Sequence, residues 1–247
     1  MNANKTLESL KEVYRFTRSV YYAGNQRHCP CCEWQFRTFL PYNQRQNAKC
    51  PRCGALERHR LYAIFLKENA DLLRRDSAVL PFAPTPILER QFAKLPNWNY
   101  ITTDFLTPNV HLTMDIMRTS FADDTFDLVI CNHVMEHIPD DLQALRELHR
   151  IIKADGGVAL IQVPLDHERE ITFEDPTITS PEERLRLFGQ DDHVRVYGRD
   201  FADRLKMAGF KFHTFDYQTI LTSADLSRYG LNFSAGRVDD IYICTKQ

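Results

Sequence analysis

From Ser77 onward, short apolar runs alternate with amphipathic stretches, and this alternation leaves few folds open to the chain. Ala78–Phe82, Asn99–Thr103, Phe126–Cys131 and Val158–Val163, followed by Phe210–Phe215 and Val238–Cys244, have the length and residue types of strands. A weaker candidate covers Val110–Met114. Between them, Pro86–Lys94, Leu142–Ile152 and Gly198–Ala208 repeat their apolar residues at helical spacing. This order predicts an α/β fold, a doubly wound and mostly parallel sheet of seven strands with its chemistry at the carboxyl ends of the strands.

A different signal precedes the sheet. Cys29, Cys32, Cys50 and Cys53 read C-x2-C-x17-C-x2-C, a spacing that suits a four-thiolate zinc site. Each pair makes a tight knuckle, and Gly54 supplies the positive φ that such a turn often needs. Four sulfurs close the coordination shell, so the expected Zn2+ is structural. Cys31 is a spare and His28 an outside candidate. Trp34, Phe36, Phe39, Leu40 and Tyr42 furnish a small hairpin between the knuckles. Arg58, His59 and Arg60 then open a helix running through Leu72 to about Arg74, with this basic cluster expected at the solvated surface and phosphate binding as the alternative. The chain divides on this reading into residues 1–75, an N-terminal helix with a zinc-binding module and a linking helix, and residues 76–247, the sheet domain. Segments 166–192 and 217–236, the latter carrying Tyr217, Tyr229 and Phe233, are its expected lids.

Charge follows the same division. Residues 1–75 hold 14 Lys and Arg against 6 Asp and Glu, whereas the remaining 172 hold 17 against 27. A basic head on an acidic body suits an anionic partner such as RNA, or docking of the head on its own body. No apolar run approaches the roughly 18 residues of a spanning helix, and the first residues lack a signal-peptide core, so a cytoplasmic chain with no membrane partner is expected. The 9 glycines include no G-x-G spacing, which excludes the P-loop and the dinucleotide fingerprint.

Several features of the body are more specific. Thr102-Thr103-Asp104 ends the second strand with an acid, Asp115 precedes a turn and then the Phe126 strand, and Cys131-Asn132-His133-Val134-Met135-Glu136-His137-Ile138-Pro139 follows. Gly156-Gly157 turns the chain into another apolar run, and Lys206-Met207-Ala208-Gly209-Phe210 makes a late helix-to-strand turn. This order resembles the class I S-adenosylmethionine-dependent methyltransferases, in particular the small-molecule, methyltransferase type 11-like branch typified by ubiquinone-biosynthesis enzymes. The resemblance covers about Ser77 to Ala208 and is densest from Asp115 to Val163. It implies a Rossmann-like sheet and S-adenosylmethionine as cofactor. Asp104 would hold the ribose, Asp115 and the Ile116 backbone the adenine, and Asn132 and His133 would lie near the methionine end and the reacting methyl.

The departure from the family is the first loop, Pro81-Phe82-Ala83-Pro84-Thr85-Pro86, where relatives carry a glycine-rich turn. S-adenosylmethionine has no pyrophosphate and asks only for backbone donors to its carboxylate, so Phe82, Ala83 and Pro84 remain cofactor-binding candidates. Ala83 is small, Thr85 suits the cap and Pro86 the first helical position.

Methyl transfer is an in-line displacement in which positioning does much of the work, and a base is needed only where the acceptor loses a proton. His133 is the first candidate for that base, followed by His193 and His137, with Glu136 close in sequence. Asp191-Asp192-His193 is rejected as a metal site because three consecutive side chains rarely converge on one ion. The expected function is methyl transfer to a small-molecule, glycan or other metabolite acceptor. The alternatives are an RNA methyltransferase using the basic head, or a non-catalytic zinc-binding interaction protein with a degenerate fold.

Overall fold

In the computed structural model, which describes residues 3–43, 45–69, 71, 75–106, 110–232 and 239–246, Cys29 and Cys32 sit at the turn of one short hairpin, and Cys50 and Cys53 in the turn that follows a second. After helix α1 (Ala3–Tyr21), β1 (Ala23–Cys29) pairs antiparallel with β2 (Trp34–Phe36), and β3 (Leu40–Tyr42) with β4 (Arg45–Lys49). The expected single hairpin between the knuckles is therefore two, because polar β1 and β4 each recruit one of its halves. The first knuckle closes with Glu33 N–H donating to the Cys29 carbonyl at 2.8 Å, Glu33 taking a left-handed φ of 59°. The second closes from Gly54 to the Cys50 carbonyl at 3.1 Å, with Gly54 at φ 78° as expected.

Helix α2 (Glu57–Glu68) follows and corrects one expectation. Arg60 is not solvated: it is fully buried over the Phe39 ring and donates to the carbonyls of Ala48, Ala55, Tyr229 and Gly230 at 2.6 to 3.0 Å. A guanidinium can be buried this way because its planar fork meets several acceptors at once. His59 is also buried, its Nδ1 accepting from Leu56 N–H at 3.0 Å. Leu72 and Arg74, expected near the end of this helix, lie outside the described residues.

The alternation after Ser77 produces the expected sheet. Strand β5 (Ser77–Phe82) leads to helix α3 (Pro86–Phe92), then β6 (Trp98–Tyr100), β7 (Thr103–Asp104), β8 (Leu112–Thr113) and β9 (Leu128–Asn132). A 3-10 turn (Met135–His137) and helix α4 (Asp141–Ile151) precede β10 (Val158–Gln162). Next come β11 (Phe173–Glu174), α5 (Pro181–Phe188), β12 (Arg195–Val196), α6 (Phe201–Met207) and β13 (Lys211–Thr214), and then α7 (Tyr217–Ile220), α8 (Ser223–Tyr229) and β14 (Tyr242–Thr245). The sheet order is β13-β14-β10-β9-β5-β7-β8, with β6 also paired to β5. Strands β6 and β7 run along β5 one after the other, so the sheet has the expected seven positions with one split at Ile101 and Thr102. All pairs from β8 to β10 are parallel, and β14 is antiparallel to both its neighbours. Val238, the expected start of the last strand, lies outside the described residues, and the strand begins at Tyr242.

The core of this sheet joins Leu80, Val129 and Ile161 to Leu145 and Leu148 of α4 and Leu205 of α6. Five of the six residues of β5 are buried, as befits a parallel strand covered on both faces. Contacts divide the chain into two compact units. One joins the described parts of Met1–Leu72, Pro86–Gln91 and Asp216–Val238; the other takes Leu73–Thr85, Phe92–Phe215 and Asp239–Gln247. Within the first unit, Arg27 Nη1 donates to Ser227 Oγ at 2.7 Å, which ties the 217–232 stretch to β1; Phe233 of the expected lid lies outside the described residues. Segment 166–192 carries β11 and α5 in the second unit.

Candidate active site

The order of the sheet reverses between β5 and β9, and in open α/β sheets ligands bind beyond the carboxyl ends of the strands at such a reversal. Phe82 pairs with both Thr103 and Cys131, so Ala83, Asp104 and Asn132, each the next residue along, lie together at three adjacent strand ends. Both strands flanking the reversal are followed by a residue in left-handed backbone: Ala83 after β5 at φ 42° and His133 after β9 at φ 54°. Neither is glycine, and left-handed backbone in such residues costs energy that tends to collect at functional sites. Ala83 N–H donates to the Thr103 carbonyl at 2.7 Å, and His133 N–H to the Gln162 carbonyl at 2.8 Å. The glycine-free loop thus adopts the backbone that glycine would favour. Phe82 is buried, while Ala83 and Pro84 are half-buried.

Asp104 ends β7, where its Oδ1 accepts from Leu106 N–H at 2.8 Å. Asp115 makes the same two-residue turn with Met117 N–H at 2.8 Å, and Ile116 beside it is buried in the core. The Asn132 side chain ends β9 with its Nδ2 buried and without a hydrogen-bond partner. Next to it on β10, Gln162 donates its Nε2 to the Asp239 carbonyl at 2.7 Å and leaves Oε1 buried and unpartnered. A donor and an acceptor left bare at adjacent strand ends ask for a ligand or water, because an unmade buried hydrogen bond costs about 1–3 kcal/mol.

The three histidine candidates come together here. His133 lies between two carboxylates, with Nδ1 3.4 Å from Glu136 Oε1 and Nε2 3.4 Å from Asp239 Oδ2. Asp239 is held in turn by Leu165 N–H at 3.1 Å. His137 and His193 meet edge to face with ring centroids 4.7 Å apart, and His137 Nδ1 is 3.2 Å from Asp192 Oδ2. Burial holds the His193 imidazole below its ordinary pKa, against the upward pull of Glu136, so the ring is neutral at neutral pH. Sequence reasoning missed Asp239 and Gln162. Gln162 had a signal, a lone polar residue at the carboxyl end of an apolar strand, whereas Asp239 had none because its partner lies more than a hundred residues away.

In the head, Cys29 Sγ lies 3.6 Å from Cys53 Sγ and Cys32 Sγ 3.7 Å from Cys50 Sγ, and all four sulfurs fall within 4.8 Å of one another. A zinc–sulfur bond of about 2.3 Å sets tetrahedral sulfurs about 3.8 Å apart, so the four could hold one ion, and the two closest pairs are far from disulfide length. Hydrogen bonding from Cys29, and then from Cys32 and Cys53, holds the Cys50 thiol well below its ordinary pKa. Cys31 turns away to donate to the His59 carbonyl, and His28 pairs with Glu33 at 3.0 Å; neither belongs to the tetrad. Several head arginines are committed inside the unit: Arg18 to the Pro51 carbonyl, Arg27 to Ser227 and Arg60 to four carbonyls. Among the described residues no helix is long and apolar enough to cross a membrane.

A family model described as a methyltransferase domain matches residues 68–214, more than half of the chain. An uncharacterised protein of Methanocaldococcus jannaschii, MJ0638, is 42% identical over 84 residues, covering 34% of this chain and 37% of that protein. A demethylmenaquinone methyltransferase of Lysinibacillus sphaericus is 41% identical over 46 residues, 19% of this chain and 20% of the enzyme. The chain therefore matches well under half the length of these curated relatives. Among solved structures, a protein described provisionally as a sarcosine dimethylglycine methyltransferase from Galdieria sulphuraria superposes with a TM-score of 0.50 at 13% identity, covering 79% of this chain and 87% of that one. At that identity the likeness speaks for the fold alone.

Proposed function

We propose that this chain, which belongs to the methyltransferase domain family, transfers a methyl group from S-adenosylmethionine to a small-molecule acceptor. The observation that carries the reading is the bare Asn132 amide at the reversal of the sheet, between two strand exits in left-handed backbone. S-adenosylmethionine, when bound, supplies a methyl on a positively charged sulfur, open to in-line attack. The residues present fit such a group. Asp104 would take the ribose hydroxyls, Asp115 with the Ile116 backbone the adenine, and Asn132 the methionine end. The turn at Phe82, Ala83 and Pro84 keeps a backbone that allows close approach. His133, between Glu136 and Asp239, would accept the proton of a protic acceptor, while the two carboxylates orient the ring and stabilise its cation.

Commitment of Arg18, Arg27 and Arg60 within their own unit takes three cations of the head out of use by a nucleic acid and favours a small acceptor. The four cysteines would hold a structural Zn2+, consistent with their tetrahedral spacing. The test is calorimetric titration with S-adenosylmethionine. We expect saturable binding by the wild type and affinity lower by about ten-fold or more in Asp104→Ala, since a hydrogen bond to a charged group contributes about 1.5–3 kcal/mol. An absence of binding at millimolar cofactor would overturn the proposal and leave a non-catalytic interaction protein.

A further inference from the structure

We propose that Glu136, His137 and His193 form a second metal site, separate from the four cysteines, for a divalent transition cation such as Zn2+. One ligand atom from each of the three lies within 4.8 Å of the other two. Two of those side chains are left in a state that a protein alone does not satisfy. Glu136, its side chain 1% exposed, has Oε2 buried without a hydrogen-bond partner, and His193, 5% exposed, has Nε2 in the same condition.

The tautomer sharpens the point. An imidazole nitrogen donates or accepts according to the tautomer, and in the ring protonated on Nδ1 the buried, unpartnered Nε2 of His193 presents a lone pair. A carboxylate is acceptor-only when ionised. Two buried acceptors then lie close together without partners, an arrangement that a bound cation would relieve.

The surroundings match those of metal-bound imidazole. Such histidines usually give their second nitrogen to a carboxylate or a backbone carbonyl, which fixes the ring and raises its basicity. His137 has Asp192 in that role, 3.2 Å from Nδ1. The ligand positions are also held from outside. Arg195, 4% exposed, donates to the carbonyls of Met135, Ile138 and Pro139, which frame the turn bearing Glu136 and His137. Val194 N–H donates to the Glu136 carbonyl at 2.9 Å, fixing the residue after His193 beside the same turn.

Two imidazoles and one carboxylate suit Zn2+ or a neighbouring transition ion better than Ca2+ or Mg2+, which prefer all-oxygen shells. Three protein ligands leave a fourth position, the pattern of a site open to water or to an acceptor oxygen and unlike the closed tetrad in the head. Glu136 would link the ion to His133, since its Oε1 lies 3.4 Å from His133 Nδ1.

The experiment is metal stoichiometry on the full chain, stripped with chelator and re-equilibrated with micromolar free Zn2+, with Co2+ substitution to report ligand type. We expect two equivalents in the wild type. Glu136→Gln and His193→Gln should each fall to one and keep the intense sulfur-to-cobalt charge-transfer band. Cys50→Ser should lose that band and keep the weaker nitrogen and oxygen spectrum. A wild type that binds a single, sulfur-ligated equivalent overturns the proposal, as does a second equivalent that survives both Glu136→Gln and His193→Gln. If a variant fails to show a native circular dichroism spectrum, the wild-type stoichiometry and cobalt spectrum decide alone.

Discussion

Replacing Ala83 by glycine tests whether the loop after β5 carries strain to keep its shape. Ala83 sits at φ 42° with its N–H on the Thr103 carbonyl at 2.7 Å. For a residue with a Cβ, left-handed backbone costs about 1–2 kcal/mol, and glycine removes most of that penalty. Glycine also adds freedom to the unfolded chain, which offsets the gain by about 0.4–1 kcal/mol. The balance favours Ala83→Gly by about 0.5–1 kcal/mol, a rise of about 1–4 °C in Tm for a chain of this size. Ala83→Val should move the other way by several degrees, because a branched Cβ fits left-handed backbone worse still. Thermal melting of the three proteins without ligand gives the comparison, and titration with S-adenosylmethionine should then find the glycine variant within about three-fold of wild type. A lower Tm in Ala83→Gly would refute the reasoning, since it would mean that the alanine methyl contributes more by packing than its backbone loses.

Two further outcomes follow from buried polar groups. Arg60→Met leaves the carbonyls of Ala48, Tyr229 and Gly230 without their guanidinium donor and should destabilise the head by about 3–5 kcal/mol, read as faster amide exchange across residues 216–232; Arg60→Lys, which lacks the planar fork, should not restore it. Glu147 is buried, yet its bonds from Arg150 and from the Thr119 hydroxyl and amide hold its carboxyl below the usual range. Its stabilisation is therefore complete above the unfolded value of about 4.3 and is lost as pH falls through the lower folded value, so Glu147→Gln should flatten the acid side of a urea-unfolding series below about pH 5 while lowering stability at pH 7.

The parts legible in the sequence are those with short-range signals. The cysteine spacing located the tetrad, and Gly54 marked its second turn because left-handed backbone is a local property. Apolar period placed the central strands within one to two residues of their observed limits at β5, β9 and β10. Strands β1 and β4 escaped notice because AGNQRHC and RQNAK are polar, and their pairing depends on the knuckles that close beside them. Arg60 was misjudged for a related reason. Nothing local separates a solvated arginine from one whose acceptors come from residues 48, 55, 229 and 230. The meeting of Glu136 and His137 with His193 depends on Arg195 reaching back to the turn at Met135–His137, a contact between residues 60 apart in sequence.

The interleaving of the two units bears on how the chain is made. Arg60 finds its last acceptor 170 residues later at Gly230, and Arg27 meets Ser227 after 200. At roughly 5–20 residues per second, synthesis takes on the order of ten to thirty seconds to cover the span from Arg60 to Gly230. Throughout that interval Arg60 lacks two of its four acceptors. The nascent head thus waits on the ribosome for its closing segment, and a message interrupted before codon 230 would release a chain missing both the seal of its cysteine module and β14 of its sheet.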